Sequence, residues 1–515
     1  MVLLILAGVS INLVLGENGI VKKSQDAKSA TREKQLEEQV QLAIGDSYTE
    51  GEGNIKDAEL KKALNNHLGE DNYDITGDET NGWKITVKET NKTYNVDASG
   101  NKDTGLNWGE IMKDATEHPN NYRHPEQSET NKDIGIGTDG KAVNMDLWNV
   151  RIVNEQAWLN VHVSCFGSMH GYIGKIIDGM IEGKVPQYVK KDGYDSFYEV
   201  TNIDGMLKYS EIKIAPDIPS GVTSMDATFE GCDGLVTVPP IPNGVTNMNN
   251  TFLDCKSLKS VPNIPKSVTS MSKTFFRCES LESPPILPDG ITELDRTFMQ
   301  CMDLTKAPKI PESVTSLTGT FAECYRLEEA PAIPENVISM SATFQGCPGL
   351  KEAPIIPSKV KKMGYTFKDC TNLENAPTIP ENVTYMDNTF AGCTGLTVAP
   401  SIPDKVTYMR ETFSGCTGLL TAPKIPNSVT CMIGTFSGCT NLVIAPDIPN
   451  SVTSVANAFS RCSSLTGKIV VNAASLDYIT DCFKDTVKPI TLTGTSSKLA
   501  DLAATATNGN VTVGQ

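Results

Sequence analysis

The residue types that could carry chemistry are unevenly placed along the chain. All five histidines lie between His67 and His170, whereas the fourteen cysteines fall mainly in the second half of the 515 residues. His162, Cys165 and His170 have the side chains of a metal site or of a thiol–imidazole pair. Alternation through Val161-His162-Val163-Ser164-Cys165 places His162 and Cys165 on opposite faces of an extended segment, which favours incidental roles. Gly135-x-Gly137-x-x-Gly140 matches a dinucleotide fingerprint by letter. It follows a polar loop and opens a strand-like segment, without the strand–glycines–helix context in which such a run cradles a phosphate. Carboxylates are plentiful, and no two stand out as an acid and its base. The expectation is a chain with no catalytic residues, no cofactor and no metal.

Charge and length narrow the partners. There are 45 Lys and Arg against 62 Asp and Glu, a net charge of −17. No part of the chain is basic, which excludes nucleic acid, because a phosphate-binding surface needs a basic stripe. Hydrophobic content of 39% and a mean hydropathy of −0.22 fit a folded body rather than a multi-span membrane protein. The length suggests two to four domains.

The cysteines reveal how the second half is built. Cys232, Cys255, Cys278, Cys301, Cys324, Cys347, Cys370, Cys393, Cys416, Cys439 and Cys462 repeat every 23 residues without a slip. A phenylalanine precedes each by three residues, from Phe229 to Phe459, and a leucine follows each by three, from Leu235 to Leu465. A fixed period in this range marks a solenoid, whose coils bury their apolar faces against one another. Val222, Met225 and Phe229 keep a spacing of three to four, which predicts a turn of α- or 3₁₀-helix. Paired prolines such as Pro216 and Pro219 hold the opposite arc extended. Coils stacked at about 4.8 Å would form an array roughly 50 Å long. The cysteine row reads as reduced, buried packing residues: its number is odd, its setting apolar, and no histidine follows His170 to make it a metal ladder. Cys431 stands outside the row and is the thiol expected to be exposed.

The flanks are less regular. Val200, Ile203 and Ile212 form a degenerate first coil one residue short, the N-terminal cap that a solenoid needs. The pattern fades after Leu465, where Ile469–Val471 and Ile490–Leu492 predict short strands around a brief helix in a C-terminal cap. Near the start, residues 2–15 are an apolar run of 14, short of the roughly 20 a spanning helix requires. An amphipathic helix follows, with Leu36, Val40, Ala43 and Ile44 on one face. Trp83, Ile85 and Val87 against Tyr94 and Val96 predict a hairpin around Asn91. Residues 106–118 read as a helix stopped by Pro119, 119–140 as a polar loop, 143–165 as strands with a turn, and 171–181 as a helix.

Two resemblances follow from these motifs. Val406 to Leu419, VTYMRETFSGCTGL, resembles the BspA-like leucine-rich-repeat proteins of bacterial surfaces. That resemblance implies a right-handed solenoid and a role in adhesion. The Ala-Pro-x-Ile-Pro segment departs from related repeats, so the inner sheet is expected to be short or interrupted. The L-I-L-A-G-V-S-I and G-E-N-G-I stretches resemble type IV pilin-like proteins, which carry a cleavage site and further apolar residues upstream. Met1 stands inside the apolar segment, so the natural start is expected farther upstream. This second resemblance implies membrane contact through residues 2–15, pilus-like assembly and a place on the cell surface.

The expected fold is a right-handed leucine-rich-repeat-like solenoid of 23-residue coils with short strands and helical turns. It is preceded by a small α+β domain with a long N-terminal helix. The expected divisions are an N-terminal helix over 1–50, the α+β domain over 51–195, the solenoid over 196–466 and the cap over 467–515. Rows of like residues present a surface rather than a convergent pocket. The variable columns on that surface are therefore the candidate contacts for a macromolecular ligand, a host or bacterial protein or a glycan. One column contains Lys306, Glu329, Glu352 and Asn375; another contains Tyr385 and Tyr408 in adjacent coils, large, stiff and amphipathic.

Overall fold

The structure is a computed structural model that describes residues 36, 39, 40, 43, 56–78, 82–96, 108–123, most of 127–161, 176–177, 180–181, 185–192 and 196–514. The chain divides into two compact units between Asn107 and Trp108, a division that falls inside the segment 51–195.

In the first unit, helix α1 (Asp57–Leu68) buries Leu60, Ala63, Leu64 and Leu68. It is followed by an antiparallel sheet of β1 (Tyr73–Asp78), β2 (Gly82–Val87) and β3 (Lys92–Val96). The hairpin register is the one alternation predicts: Trp83 pairs with Val96 and Ile85 with Tyr94, and Asn91 turns the chain with φ 54°. Asparagine tolerates this left-handed geometry better than most residues. The Trp83 indole donates to Asp57 and the Tyr73 hydroxyl bonds Asn65, tying sheet to helix. Leu36, Val40 and Ala43 are helical and buried, three members of the predicted amphipathic face. Ile44 and residues 2–15 lie outside the described residues.

The second unit begins with α2 (Trp108–Glu117), which ends before a 3₁₀ turn at Pro119–Tyr122, as Pro119 predicts. Then come β4 (Ile134–Gly137), β5 (Ala142–Val143), β6 (Trp148–Val153), β7 (Gln156–Val161), β8 (Ile176–Ile177), β9 (Met180–Ile181), β10 (Pro186–Lys190) and β11 (Tyr198–Asn202). Two expectations need correction here. The supposed loop 119–140 contains β4, whose four residues are all buried, and the supposed helix 171–181 contains the antiparallel pair β8–β9. A six-stranded sheet runs in the order β5-β4-β10-β11-β7-β6. Its strand β11 leads straight into the repeat, for Asn202 bridges Ser224 in the first full coil. The array therefore starts from a sheet that already offers a paired strand. Buried Gln187 fastens the junction, accepting from the Ser220 amide at 2.7 Å and donating to Glu199 at 3.0 Å.

Each coil is made of turns, not helix, which corrects the helical reading of the Val-x-x-Met-x-x-x-Phe spacing. In the first full coil, Val222, Thr228, Glu230, Cys232 and Leu235 donate to carbonyls three residues back, at 3.0–3.2 Å. The alternate amides of Met225, Ala227, Phe229 and Gly231 donate instead to Asn247, Asn249, Thr251 and Leu253 of the next coil, at 2.7–2.9 Å. Ala227 and Gly231 have φ 53° and 73°, and a positive φ returns at the Ala227 position in every coil described through Asn457. A helix cannot contain such residues, because the left-handed geometry reverses the winding. On the opposite arc the strands shrink to isolated parallel bridges, the interruption the second proline predicts.

Val, Met, Phe, Cys, Leu and Ile of each coil enter one continuous apolar core with their counterparts above and below. The twelve rings from Phe229 to Phe483 stack at 5.4–5.9 Å. Buried threonines tie the layers together, as Thr320 does by donating to the Leu294 carbonyl at 2.9 Å. The degenerate first coil joins by the same bonds: Leu207 donates to Thr228 and Tyr209 to Glu230.

The repeat does not end at Leu465. Tyr478 bridges Ser454 and Phe483 stacks on Phe459 at 5.5 Å, so a further coil follows with one residue inserted. Strands β12 (Gly467–Val470), β13 (Ile490–Thr493) and β14 (Val511–Val513) then pair in parallel. Helix α3 (Leu499–Ala503) lies between β13 and β14, whereas sequence placed a helix between the first two strands.

Candidate binding surface of the coil array

The buried thiols are structural donors. Cys324 Sγ bonds the Phe298 carbonyl at 3.1 Å, one coil back, and the bond recurs from Cys255 to Cys462 at 3.0–3.2 Å. Burial pushes the Cys324, Cys370, Cys416 and Cys462 thiols up to about 12, so they stay protonated and unreactive at neutral pH. The thirteen described cysteines are all free and buried. Cys431 is among them, contrary to the exposed thiol expected: it is 6% exposed and takes a bond from Arg410 Nε at 3.4 Å.

Two ladders face outward. The first follows the residue before the methionine: Lys362 bridges Tyr385, Tyr385 bridges Tyr408, and Tyr408 bridges Cys431. Most serines of this column have inward work. Asp295 Oδ1 accepts from Ser316 Oγ at 2.6 Å and from the Thr318 amide at 3.3 Å, and Asn249 receives Ser270 and Ser272 in the same way. Asp387 keeps half of this clamp, taking the Arg410 amide at 2.8 Å, because Tyr408 replaces the serine. The Tyr385 side chain lies beside the same carboxylate. Burial raises Asp387 above the usual carboxylate range, while the Arg410 amide and the tyrosine pull it back; burial and Asp387 together push the Tyr385 phenol up.

The two tyrosines are therefore not equivalent. Their ring centres lie 6.5 Å apart, tilted by 53°. Tyr385 is half-buried and rests on Gly364, where any Cβ would strike its ring. Tyr408 is 45% exposed.

The second ladder carries the other four sequence-chosen residues. Lys306 bridges Glu329 and Glu352 bridges Asn375, and all four side chains are exposed. Beyond Asn375 the ladder turns apolar through Val398, Thr421 and Ile444, with Leu420 and Val443 beside them. Spacing alone names Val398 and Ile444 as column members and singles out none of this apolar group; the cue was the change from charge to aliphatic residues within one column. Nothing in the described geometry brings the two ladders to a common point.

Of the N-terminal candidates, Gly135 and Gly137 are among the described residues. Both lie in β4, where Gly135 makes room for the Met145 side chain instead of cradling a phosphate. Gly140, His162, Cys165 and His170 lie outside the described residues. Among the described residues no three His, Cys, Asp or Glu side chains are grouped to hold a metal ion. Nor is any helix among them long and apolar enough to cross a membrane.

Comparison with known proteins agrees with the repeat. The family model described as the BspA type leucine rich repeat region matches residues 204–328, 294–420 and 387–503, together more than half of the chain. A solved leucine-rich repeat protein from Bacteroides ovatus is 21% identical, covering 72% of this chain and 99% of its own, with a TM-score of 0.45. One from Eubacterium ventriosum is 20% identical over 50% of this chain and 78% of its own, with a TM-score of 0.36. The T. pallidum leucine rich repeat protein is 20% identical over 44% and 74%, with a TM-score of 0.16. No curated protein matches the chain.

Proposed function

This chain belongs to the BspA-type leucine-rich-repeat family, and from that premise we propose that it is a cell-surface protein whose coil array binds another macromolecule, in adhesion. The observation that carries this reading is the contrast between the two sides of each coil. The inward residues are nearly invariant from coil to coil, whereas the outward columns change from Lys306 through Glu329 and Asn375 to Val398 on an unchanging frame. A rigid frame with varied exposed side chains binds without first paying for loop ordering. Tyr408, with Tyr385 beneath it and Arg410 adjoining, supplies the aromatic and guanidinium groups that dominate contact energies at protein interfaces.

In this reading residues 2–15 attach the chain to the membrane. Assembly of the same segment into a pilus-like fibre, with the coils as its tip, is the alternative. Recovery in membrane rather than sheared-fibre fractions separates the two. For the binding surface, the full chain is screened against immobilised glycans and extracellular-matrix proteins, with Tyr408→Ser in parallel. The expected result is a ligand whose affinity falls about tenfold or more in the variant. Equal binding by both proteins removes the tyrosine column from the site.

A further inference from the structure

The second ladder changes character halfway along, and that change specifies a partner. In three successive coils its exposed pairs are Glu328 and Glu329, Lys351 and Glu352, then Glu374 and Asn375. Four carboxylates and one ammonium make this stretch acidic. In the next three coils the pairs are Thr397 and Val398, Leu420 and Thr421, then Val443 and Ile444. Val398 is 65% exposed, Leu420 52%, Val443 38% and Ile444 58%, an aliphatic group presented to solvent in consecutive layers. Parallel bridges hold Glu352, Asn375, Val398, Thr421 and Ile444 in one file. A contiguous exposed aliphatic patch on a charged protein marks a contact surface. An acidic strip in line with it selects cationic partners and repels polyanions and anionic lipid.

We infer that this strip binds a polypeptide segment in which an aliphatic cluster is set apart from a cluster of Lys or Arg. The inference rests on the reading of the array as a binding surface and names the class of its partner. Four coil steps separate Glu352 from Ile444, about 19 Å at the spacing of paired strands. An extended chain covers that distance in about six residues. The matching segment therefore places its basic and aliphatic clusters about six residues apart and runs along the array axis. Charges farther than about 10 Å from the strip are screened at physiological salt, so selection falls to its own carboxylates, net of Lys351 and of Lys306, which bridges Glu329 one coil earlier.

The test uses the full chain and two fluorescent nine-residue peptides of equal composition. One has three arginines and three leucines at opposite ends of a Ser/Thr spacer, made in both chain directions; the other alternates them. The segregated peptide is expected to bind at least about tenfold tighter than the alternated one, in one direction or both. Val398→Asp/Ile444→Asp should erase the difference, and Glu329→Gln/Glu352→Gln should weaken binding and flatten its salt dependence. These positions are exposed, so circular dichroism should stay unchanged. Equal affinity for the two peptides overturns the inference, as does binding that ignores either double variant. Concentration-dependent dimerisation abolished by Val398→Asp/Ile444→Asp would overturn it in favour of a second copy of this chain. Tyr408→Ser keeps the outcomes separable: if a screened ligand still depends on Tyr408 while the peptides fail, the binding-surface reading stands and only this strip assignment falls.

Discussion

Replacing Phe321 by alanine tests the stacking directly. The ring is fully buried and lies between Phe298 at 5.6 Å and Phe344 at 5.9 Å. Truncation removes the transfer energy of a phenyl group, leaves a cavity that neighbouring layers cannot fill, and interrupts two ring contacts. Such changes cost about 3–5 kcal/mol. The main-chain bond from Phe321 to Thr343 is untouched, so the loss belongs to packing alone. Phe321→Leu, which keeps most of the volume, should cost about 1.5 kcal/mol or less. Because each coil contacts only its neighbours, the damage should concentrate in the layers around Cys301, Cys324 and Cys347. The assay is guanidinium unfolding followed by far-ultraviolet circular dichroism, with hydrogen exchange to locate the weakened coils. Tryptophan emission gives an internal control, since all four tryptophans, at 83, 108, 148 and 158, precede the coils. A loss below about 1 kcal/mol for the alanine variant, or exchange that rises evenly along the array, would refute the stacked-layer reasoning.

Two further outcomes follow from the same frame. Folding holds Cys324, Cys370, Cys416 and Cys462 protonated up to about pH 12, whereas in the unfolded chain they titrate near 9.0. The raised thiols therefore add stability that is complete below about pH 9 and is lost as pH climbs toward 12, by up to about 1.4 kcal/mol per pH unit for each thiol. Melting temperatures measured from pH 7 to 11 should be level at first and then fall steeply; a flat profile would contradict the burial of the row. Gly494 has φ 121°, and a Cβ there would collide with the Val471 carbonyl. Gly494→Ala should cost about 3 kcal/mol or more and free the last two strands, seen as rapid exchange of the Leu492 and Val511 amides while Phe321 stays protected.

What could be read from sequence and what could not separate along physical lines. Side chains that repeat because they share one buried environment were legible: the rows of Phe, Cys and Leu and the proline-held arc needed only spacing. Backbone geometry was not. Val222, Met225 and Phe229 keep a helix-like rhythm although Ala227 has φ 53° between them, and glycine marks that position in only two coils, at Gly319 and Gly434. Lys273, Arg296 and Glu411 adopt it in other coils, held there by the neighbouring layer's hydrogen bonds. A single inserted residue before Tyr478 broke the count and concealed a further coil. Cys431 looked exposed because it left the row, yet the Arg410 side chain of the preceding coil lies against it. Strand β4 went unseen because two of its four residues are glycine. The candidate contacts were found by column and their neighbours were missed, since exposure depends on how columns bend relative to one another.

The inter-coil bonding has one more consequence. Phe229 donates to Thr251 at 2.9 Å, Phe321 to Thr343 at 2.9 Å, and Phe413 to Thr435 at 2.9 Å, so every internal seam offers the same sockets above as below. A duplicated or deleted 23-residue unit would find both its edges already matched. Length is thus a freely adjustable property: the array can grow or shrink by whole coils, in increments of about 5 Å, while its capping segments remain as they are.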